Sequence, residues 1–477
     1  MRVLAETGAF REALGHGERA LELWSRVADA STLAGIDHVD LLAFAARMAG
    51  NTGRPERAVA IGKAALQEVD PGGDPARAAS LLVDLWSAAW EAWDEDVMGT
   101  TVERMAGLLD ALPPTRLKAH VLYLVGYHHS YRSLLSASVP PLEGALAIAR
   151  AIGDERMVAI VASALASSLV PLNRAGRAAE MLAGSELSPE FYDATPWPFW
   201  AAADQIEALW GIGRFHEAVA VAAQAIPIAA RYGLDRRVGH WLSPHLALFV
   251  LGRIDEAVEV ETRAIADAGG HGSMGQGIVA TCSDIDRGQL DRARHAIELR
   301  RERDATHGMI KLGLRILLAR AEGHLAAGRE AADEGLERAA HGAGDGNLFF
   351  ILGDATGSAA DAAVIARRRR RVDDLARAQA DGRRWMERLR ALADEARADG
   401  GAGDWVEATL ATAEAEISRL EGVADPAAWV KAVARWAGLS HVYWTAYARF
   451  RLGEALLATD GERATAAAAL RDAREAA

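Results

Sequence analysis

The string GRFHEAVAVAAQAI begins at Gly213, and GRIDEAVEVETRAI begins at Gly252, 39 positions later. Gly, Arg, Glu, Ala, two Val, Ala and Ile coincide when the two are aligned. A phrase written twice constrains a chain to a repeat architecture before any other motif is weighed. The core of the phrase, Gly-x-x-x-x-Ala, recurs at Gly8/Ala13, Gly53/Ala58, Gly213/Ala218, Gly252/Ala257 and Gly288/Ala293. A helical stretch precedes each late Gly and another follows it, so each unit reads as helix, tight turn, helix. Gly supplies the positive φ that closes the first helix. The Ala five positions on is expected where two helices cross closely. Val219, Ala222 and Ile226, at i, i+3 and i+7, predict the stripe that the second helix buries. No such hairpin has a private core. Each buries its stripe on its neighbours, and the array becomes an α-solenoid.

Composition supports an all-α reading. Of the 477 residues 51% are apolar and 25% charged, which places the chain among globular proteins. Only 14 Pro occur, and no long run alternates as a strand would. The net charge of −13 argues against a general nucleic-acid binder. The lone Cys282 excludes an intramolecular disulfide or a multi-Cys metal site and reads as a small buried residue. The N-terminal MRVLAETGAFREALG lacks the apolar core of a secretory signal. The best membrane candidate, Met157 to Asn173, is short and broken by three Ser and Pro171, so a buried helix is expected. A soluble, cytoplasmic protein is the expectation. Interruptions at Pro71, Ser188, Gly269, His341 and Asp399 mark unit ends. After His341 the phrase fades, dividing the chain into a repeat array over 1–340 and more degenerate helical repeats over 341–477.

The small pairs Ala58/Ala65, Ala218/Ala225 and Ala257/Ala264 resemble the crossing residues of the tetratricopeptide repeat family, in a degenerate, lengthened form. The pattern departs from that family at Ala202, where a large aromatic would stand, and in lacking the Pro after the second helix. A wider resemblance covers nearly the whole chain. The opening GERALELWSRVADASTLAGIDHVDLLAFAARMAGNTGRPERAVAIGKAAL resembles the start of the helical-repeat region of large ATP-binding LuxR-type transcriptional regulators. The closing segment resembles the end of that region through Trp429, Trp436, Tyr443, Ala446, Tyr447, Ala448, Arg449, Arg451, Leu452, Glu454, Ala455 and Leu456. The resemblance implies a sensor and scaffold region of a signal-transduction ATPase. In that family an ATPase module precedes the repeats and a helix-turn-helix DNA reader follows them, and this chain is expected to lack both. Its only Gly-Lys, Gly62-Lys63, is followed by Ala64, with Arg57 where a phosphate loop needs its first Gly. The alternative is a free-standing repeat adaptor joining proteins.

No residue constellation points to an enzyme, a cofactor or a metal. His216 opens HEAVA, which fails the zinc-protease pattern at Ala220, and His128-His129 have no evident acidic or Cys partner. HGSMG at His271 has His where a nucleophile elbow needs Gly, and reads as an inter-repeat loop. Arg367 to Arg371 form a run followed at once by Asp373 and Asp374, which reads as a solvated helix rather than a nucleic-acid contact. The aromatic residues offer more. Trp200, Ala203, Glu207 and Trp210 lie at i, i+3, i+7 and i+10 on one stripe of a predicted first helix, and Phe249 takes the equivalent face of the next unit. By the tetratricopeptide resemblance this is the concave face. Aromatics beside a carboxylate there suit a peptide segment of a partner protein or a small effector.

Overall fold

The computed structural model describes residues 3–4, 9–185, 187–267, 277–300, 302, 305–340, 345–398, 403–459 and 463–476. These group into two compact units: Met1–Ala162 with Asp193–Thr195, and Ser163–Tyr192 with Pro196–Ala477. The first unit holds α1 (Phe10–Trp24), α2 (Ala30–Ala34), α3 (His38–Asn51), α4 (Pro55–Gln67), α5 (Pro75–Ala92), α6 (Glu95–Leu108), α7 (Arg116–Tyr131) and α8 (Leu135–Ala151). The boundary falls inside α9 (Glu155–Leu169). The second unit continues with α10 (Ala175–Leu182), α11 (Trp197–Gly211), α12 (Phe215–Arg231), α13 (Asp235–Val238), α14 (His245–Val250), α15 (Ile254–Asp267), α16 (Ile278–Asp286) and α17 (Leu290–Leu299). It ends with α18 (Ala305–Glu322), α19 (Leu325–Ala340), α20 (Asp345–Arg368), α21 (Val372–Ala398), α22 (Asp404–Glu421), α23 (Pro426–Gly438), α24 (Val442–Ala458) and α25 (Arg463–Ala476). Among the described residues there is no strand. The fold is all-α, a tetratricopeptide-like helical-repeat α-solenoid.

One turn builds the array. Gly53, Trp93, Ser133, Asn173, Gly213, Gly252, Gly288 and Gly323 all adopt positive φ, at successive spacings of 40, 40, 40, 40, 39, 36 and 35 residues. The residue after each returns its N–H to a carbonyl five positions back, as in Arg54 to Ala49 (3.0 Å), Leu134 to His129 (2.8 Å) and Arg214 to Leu209 (2.8 Å). This is the Schellman closure, which satisfies carbonyls that a helix end would otherwise leave bare. The residue five past the turn is buried every time, whether it is Ala58, Met98, Ser138, Ala178, Ala218, Ala257, Ala293 or Gly328. Glycine matters most at Gly213 and Gly252. A Cβ at Gly213 would stand 2.5 Å from Leu439 Cδ2, and one at Gly252 2.9 Å from Val442 Cγ2. Their turns abut the turn between α23 and α24.

The small residues at the crossings behave as expected: Ala65, Ala225 and Ala264 are buried beside Ala58, Ala218 and Ala257. The predicted stripe on α12 needs correction. Phe215, Ala218, Ala222, Ala225 and Ala229 form the buried row, Val219 is half-buried, and Ile226 is 39% exposed. The row follows i, i+4, i+7 and i+11 from Ala218, so Ile226 lies on its flank. The Arg run is corrected as well, because it spans a helix junction. Arg367 and Arg368 end α20, Arg370 takes φ +55°, and α21 begins at Val372. Arg367 Nη1 donates to the Arg419 carbonyl (3.0 Å) and Nη2 to that of Leu420, placing its cation on the negative end of α22. Gly8, the Gly269 and His271 loop, the division at His341 and the start of the Asp399 interruption fall outside the described residues.

Two helical stretches, Glu155–Leu172 and Asn347–Arg368, are long and apolar enough to cross a membrane by composition, and 61% of each is buried. The crossing makes a direct prediction. Ala218→Leu forces extra methylenes into a closed contact and lowers stability by about 1–3 kcal/mol. Ala220→Leu, on the exposed face two residues on, leaves it within about 0.5 kcal/mol. Paired urea unfolding curves measure both.

Candidate functional site

The turn register shows which first-helix positions look the same way. Positions six and three before the turns at Asn173, Gly213, Gly252, Gly288 and Gly323, and before the like turn at Gly422 (φ +79°), hold Ser167 and Val170, Glu207 and Trp210, Leu246 and Phe249, Cys282 and Ile285, Leu317 and Arg320, and Glu416 and Arg419. Ser167 Oγ donates to Glu207 Oε2 at 3.1 Å, joining the same position of two successive repeats. Glu207 is exposed, and the protein packed around it raises its pKa, with the Ser167 hydrogen bond acting the other way. Beside it Asp204 is buried, and desolvation first and Glu207 second push its carboxyl well above the usual range.

The predicted stripe divides by depth. Trp200 lies in the core at 4% exposure, edge-on to Trp197 with ring centroids 4.9 Å apart. Ala203 and Trp210 are half-buried and Glu207 reaches solvent, so these three keep some exposure where Trp200 does not. Phe249 is half-buried and packs beside Leu248, Ala257 and Val279. His128 and His129 part company: His128 is buried edge-on to Trp86, and burial, helped by His129, lowers its pKa to about 4. His129 Nδ1 meets the Ala137 carbonyl at 3.2 Å. Cys282 is half-buried against the cluster of Ala293, Ile297, Leu314 and Leu318, and desolvation raises its thiol pKa.

Trp210 leads to a feature that sequence reading missed. Its ring lies 5.6 Å from Trp405 of α22, which also touches Phe215 (5.3 Å), Phe350 (5.4 Å), Trp436 (5.8 Å) and His441 (5.3 Å). Trp405 thus joins α11 and α12 to α20, α22 and α23. Beneath it a small pocket of about 50 Å³ is walled by Phe350, Asp354, Trp405, Trp436 and Trp444 and floored by Arg320 and Glu416.

That floor belongs to a charged network on α18, α20, α22 and α24. Arg320 Nε donates to Asp361 (2.7 Å) and its Nη2 to Tyr447 (2.6 Å). Arg419 reaches Asp361 at 2.7 Å and also Glu416, while the Tyr447 hydroxyl donates to Glu416. Arg451 donates to Tyr447 (3.1 Å), Glu454 (2.7 Å) and, at 3.3 Å, Asp361. Burial opposes ionisation of Asp361, but Arg320, Arg419 and Arg451 outweigh it and hold its carboxyl below the ordinary value. Glu416 is 1% exposed. The register was the available signal, since Glu416, Arg419 and Arg320 occupy the same turn-relative positions as Glu207 and Trp210.

No protein-family model matches the sequence, and no curated protein does. Among solved structures, a Rap protein complexed with Competence and Sporulation Factor is similar with a TM-score of 0.51 at 14% identity. The match covers 75% of this chain and 98% of that one. Cut9–Hcn1, a hetero-tetramer of the APC/C, matches at a TM-score of 0.32 and 12% identity over 100% of this chain and 92% of that one. The likeness to the Rap protein is one of fold.

Tyr447 is the shared node of the network. Tyr447→Phe strips one hydroxyl and leaves Glu416 and Arg320 each a partner short. Unfolding in denaturant is expected to show a loss of about 1–3 kcal/mol with the helical circular dichroism of the native chain unchanged.

Proposed function

We propose that the chain is a binding scaffold whose face around Glu207 holds a segment of a partner protein or a small effector. Ala203, Glu207, Trp210 and Phe249 make the contact, with Trp200 supporting them from the core. The observation that carries this reading is Glu207 itself: an exposed carboxylate, joined to Ser167 of the preceding repeat, shares one face of α11 with the half-buried ring of Trp210 and so offers a polar anchor beside an apolar one. The known binding of Competence and Sporulation Factor by a similarly folded Rap protein agrees with such a use.

Within this reading the chain is the cytoplasmic sensor and scaffold region of a LuxR-type regulator, with the repeats of 341–477 as its more degenerate closing part. The resemblance of the opening and closing segments supports that context. Occupancy of this face would bias the docking of the array against the ATPase module of such a regulator. Binding, rather than catalysis, is the activity.

The test compares the native chain with the triple variant Glu207→Gln, Trp210→Ala, Phe249→Ala, each used to capture partners from a lysate of the native cell. A partner held by the native chain and lost at least tenfold by the variant is expected. A partner held equally by both overturns the assignment of this face. The mass of the native polypeptide, read with an antibody to these repeats, tests the regulator context. A band well above 50.8 kDa is expected, and a band at that mass favours the free-standing adaptor.

A further inference from the structure

Asp354 and Trp405, two residues that line the small pocket, each carry a polar group without a protein partner. The first is the Asp354 carboxyl, half-buried on α20, with no hydrogen bond or ion pair among the described residues. Arg320, the cation at the pocket, is already committed to Asp361 and Tyr447. The second is the indole N–H of Trp405. Its side chain is 7% exposed, its Nε1 is sealed from solvent, and no protein acceptor meets it. Its neighbour Trp436 shows what a satisfied indole looks like here, donating to Thr412 Oγ1 at 2.7 Å.

The walls narrow the choice of occupant. Phe350, Trp405, Trp436 and Trp444 surround the space with aromatic rings, Trp436 and Trp444 lying nearly parallel at 5.8 Å. Aromatic faces attract cations, and a planar guanidinium both stacks on a ring and grips a carboxylate with paired N–H groups. The charge balance agrees. Arg320, Arg419 and Arg451 are countered by Asp361, Glu416 and Glu454, which leaves Asp354 and, on α16, the exposed Asp286 uncompensated. A volume of about 50 Å³ has room for one small cationic head and no larger group.

We propose that this pocket receives an arginine side chain of a bound peptide segment, its guanidinium on the Asp354 carboxylate and against the aromatic walls. This deepens the binding reading, on which it rests, by naming the chemistry of the partner. The titratable and charged groups near Asp354 are Arg320 on α18, Cys282 on α16, Glu416 on α22 and Tyr443 on α24, with Asp286 of α16 acting on Cys282 and Tyr443. Burial raises its pKa to about 7, with Arg320 pulling the other way. The carboxylate that grips a cation therefore forms as pH rises through neutrality, and affinity increases in that direction.

The experiment titrates the full chain with the acetylated, amidated peptide Ala-Ala-Arg-Ala-Ala and follows tryptophan fluorescence. The lysine and citrulline counterparts are run beside it, with Asp354→Asn as the variant. The arginine peptide is expected to saturate the signal and to bind several-fold more tightly at pH 8 than at pH 6. At least tenfold weaker binding is expected for citrulline and for Asp354→Asn. Equal binding of arginine and citrulline overturns the proposal, as does the absence of saturation. Equal or tighter binding of lysine overturns the guanidinium assignment. Should Asp354→Asn lose its helical circular dichroism, the citrulline comparison on the native chain still decides. Failure here with a partner still captured through Glu207, Trp210 and Phe249 would sink this pocket alone.

Discussion

Each first helix must stop and reverse within a residue or two, and everything else in the structure depends on how it does so. The Schellman closure fixes the angle at which the second helix leaves, and the angle decides which residue sits in the crossing five positions later. Because that position is always buried, a drift in the turn would open the interface it seals. The chain accepts local strain to keep the geometry. Trp93, Ser133 and Asn173 hold the left-handed turn without glycine, at a cost of roughly 1–2 kcal/mol each.

A second constraint acts across the array of the second unit. Buried guanidinium and carboxylate groups are expensive to desolvate, and they repay that cost only when every donor and acceptor is met. The network around Tyr447 meets them by drawing on four helices at once. It works as a register device: slide any one helix along its axis and a buried charge loses its partner. The aromatic contacts of Trp405 are more tolerant of small shifts, so charge sets position while rings fill volume.

Legibility in the sequence followed the locality of the interaction. Turns at Gly53, Gly213, Gly252 and Gly288 were readable because glycine advertises positive φ. The same turns at Trp93, Ser133 and Asn173 were not, which hid the 40-residue period of the first repeats. The stripe on α12 was misplaced at Ile226 because Ala222 and Ala225 bury as fully as larger residues and carry little weight in an apolar pattern. On α11, the spacing of Glu207 and Trp210 placed them on one face, but Trp200 was closer to the core than spacing could tell. Trp405 lies 195 positions beyond Trp210, and no local pattern could join them.

Asn173 carries the last consequence. Besides closing its turn, its side-chain amide donates to the Leu392 carbonyl at 2.9 Å, 219 residues on. Stacked repeats normally touch only their neighbours and can peel from either end. Here a turn early in the second unit is fastened to a helix far along the chain, as Trp210 is to Trp405. Such closure ties the start of the unit to α21. The unit should come apart as one block, and a ligand that steadies one part of it steadies the whole.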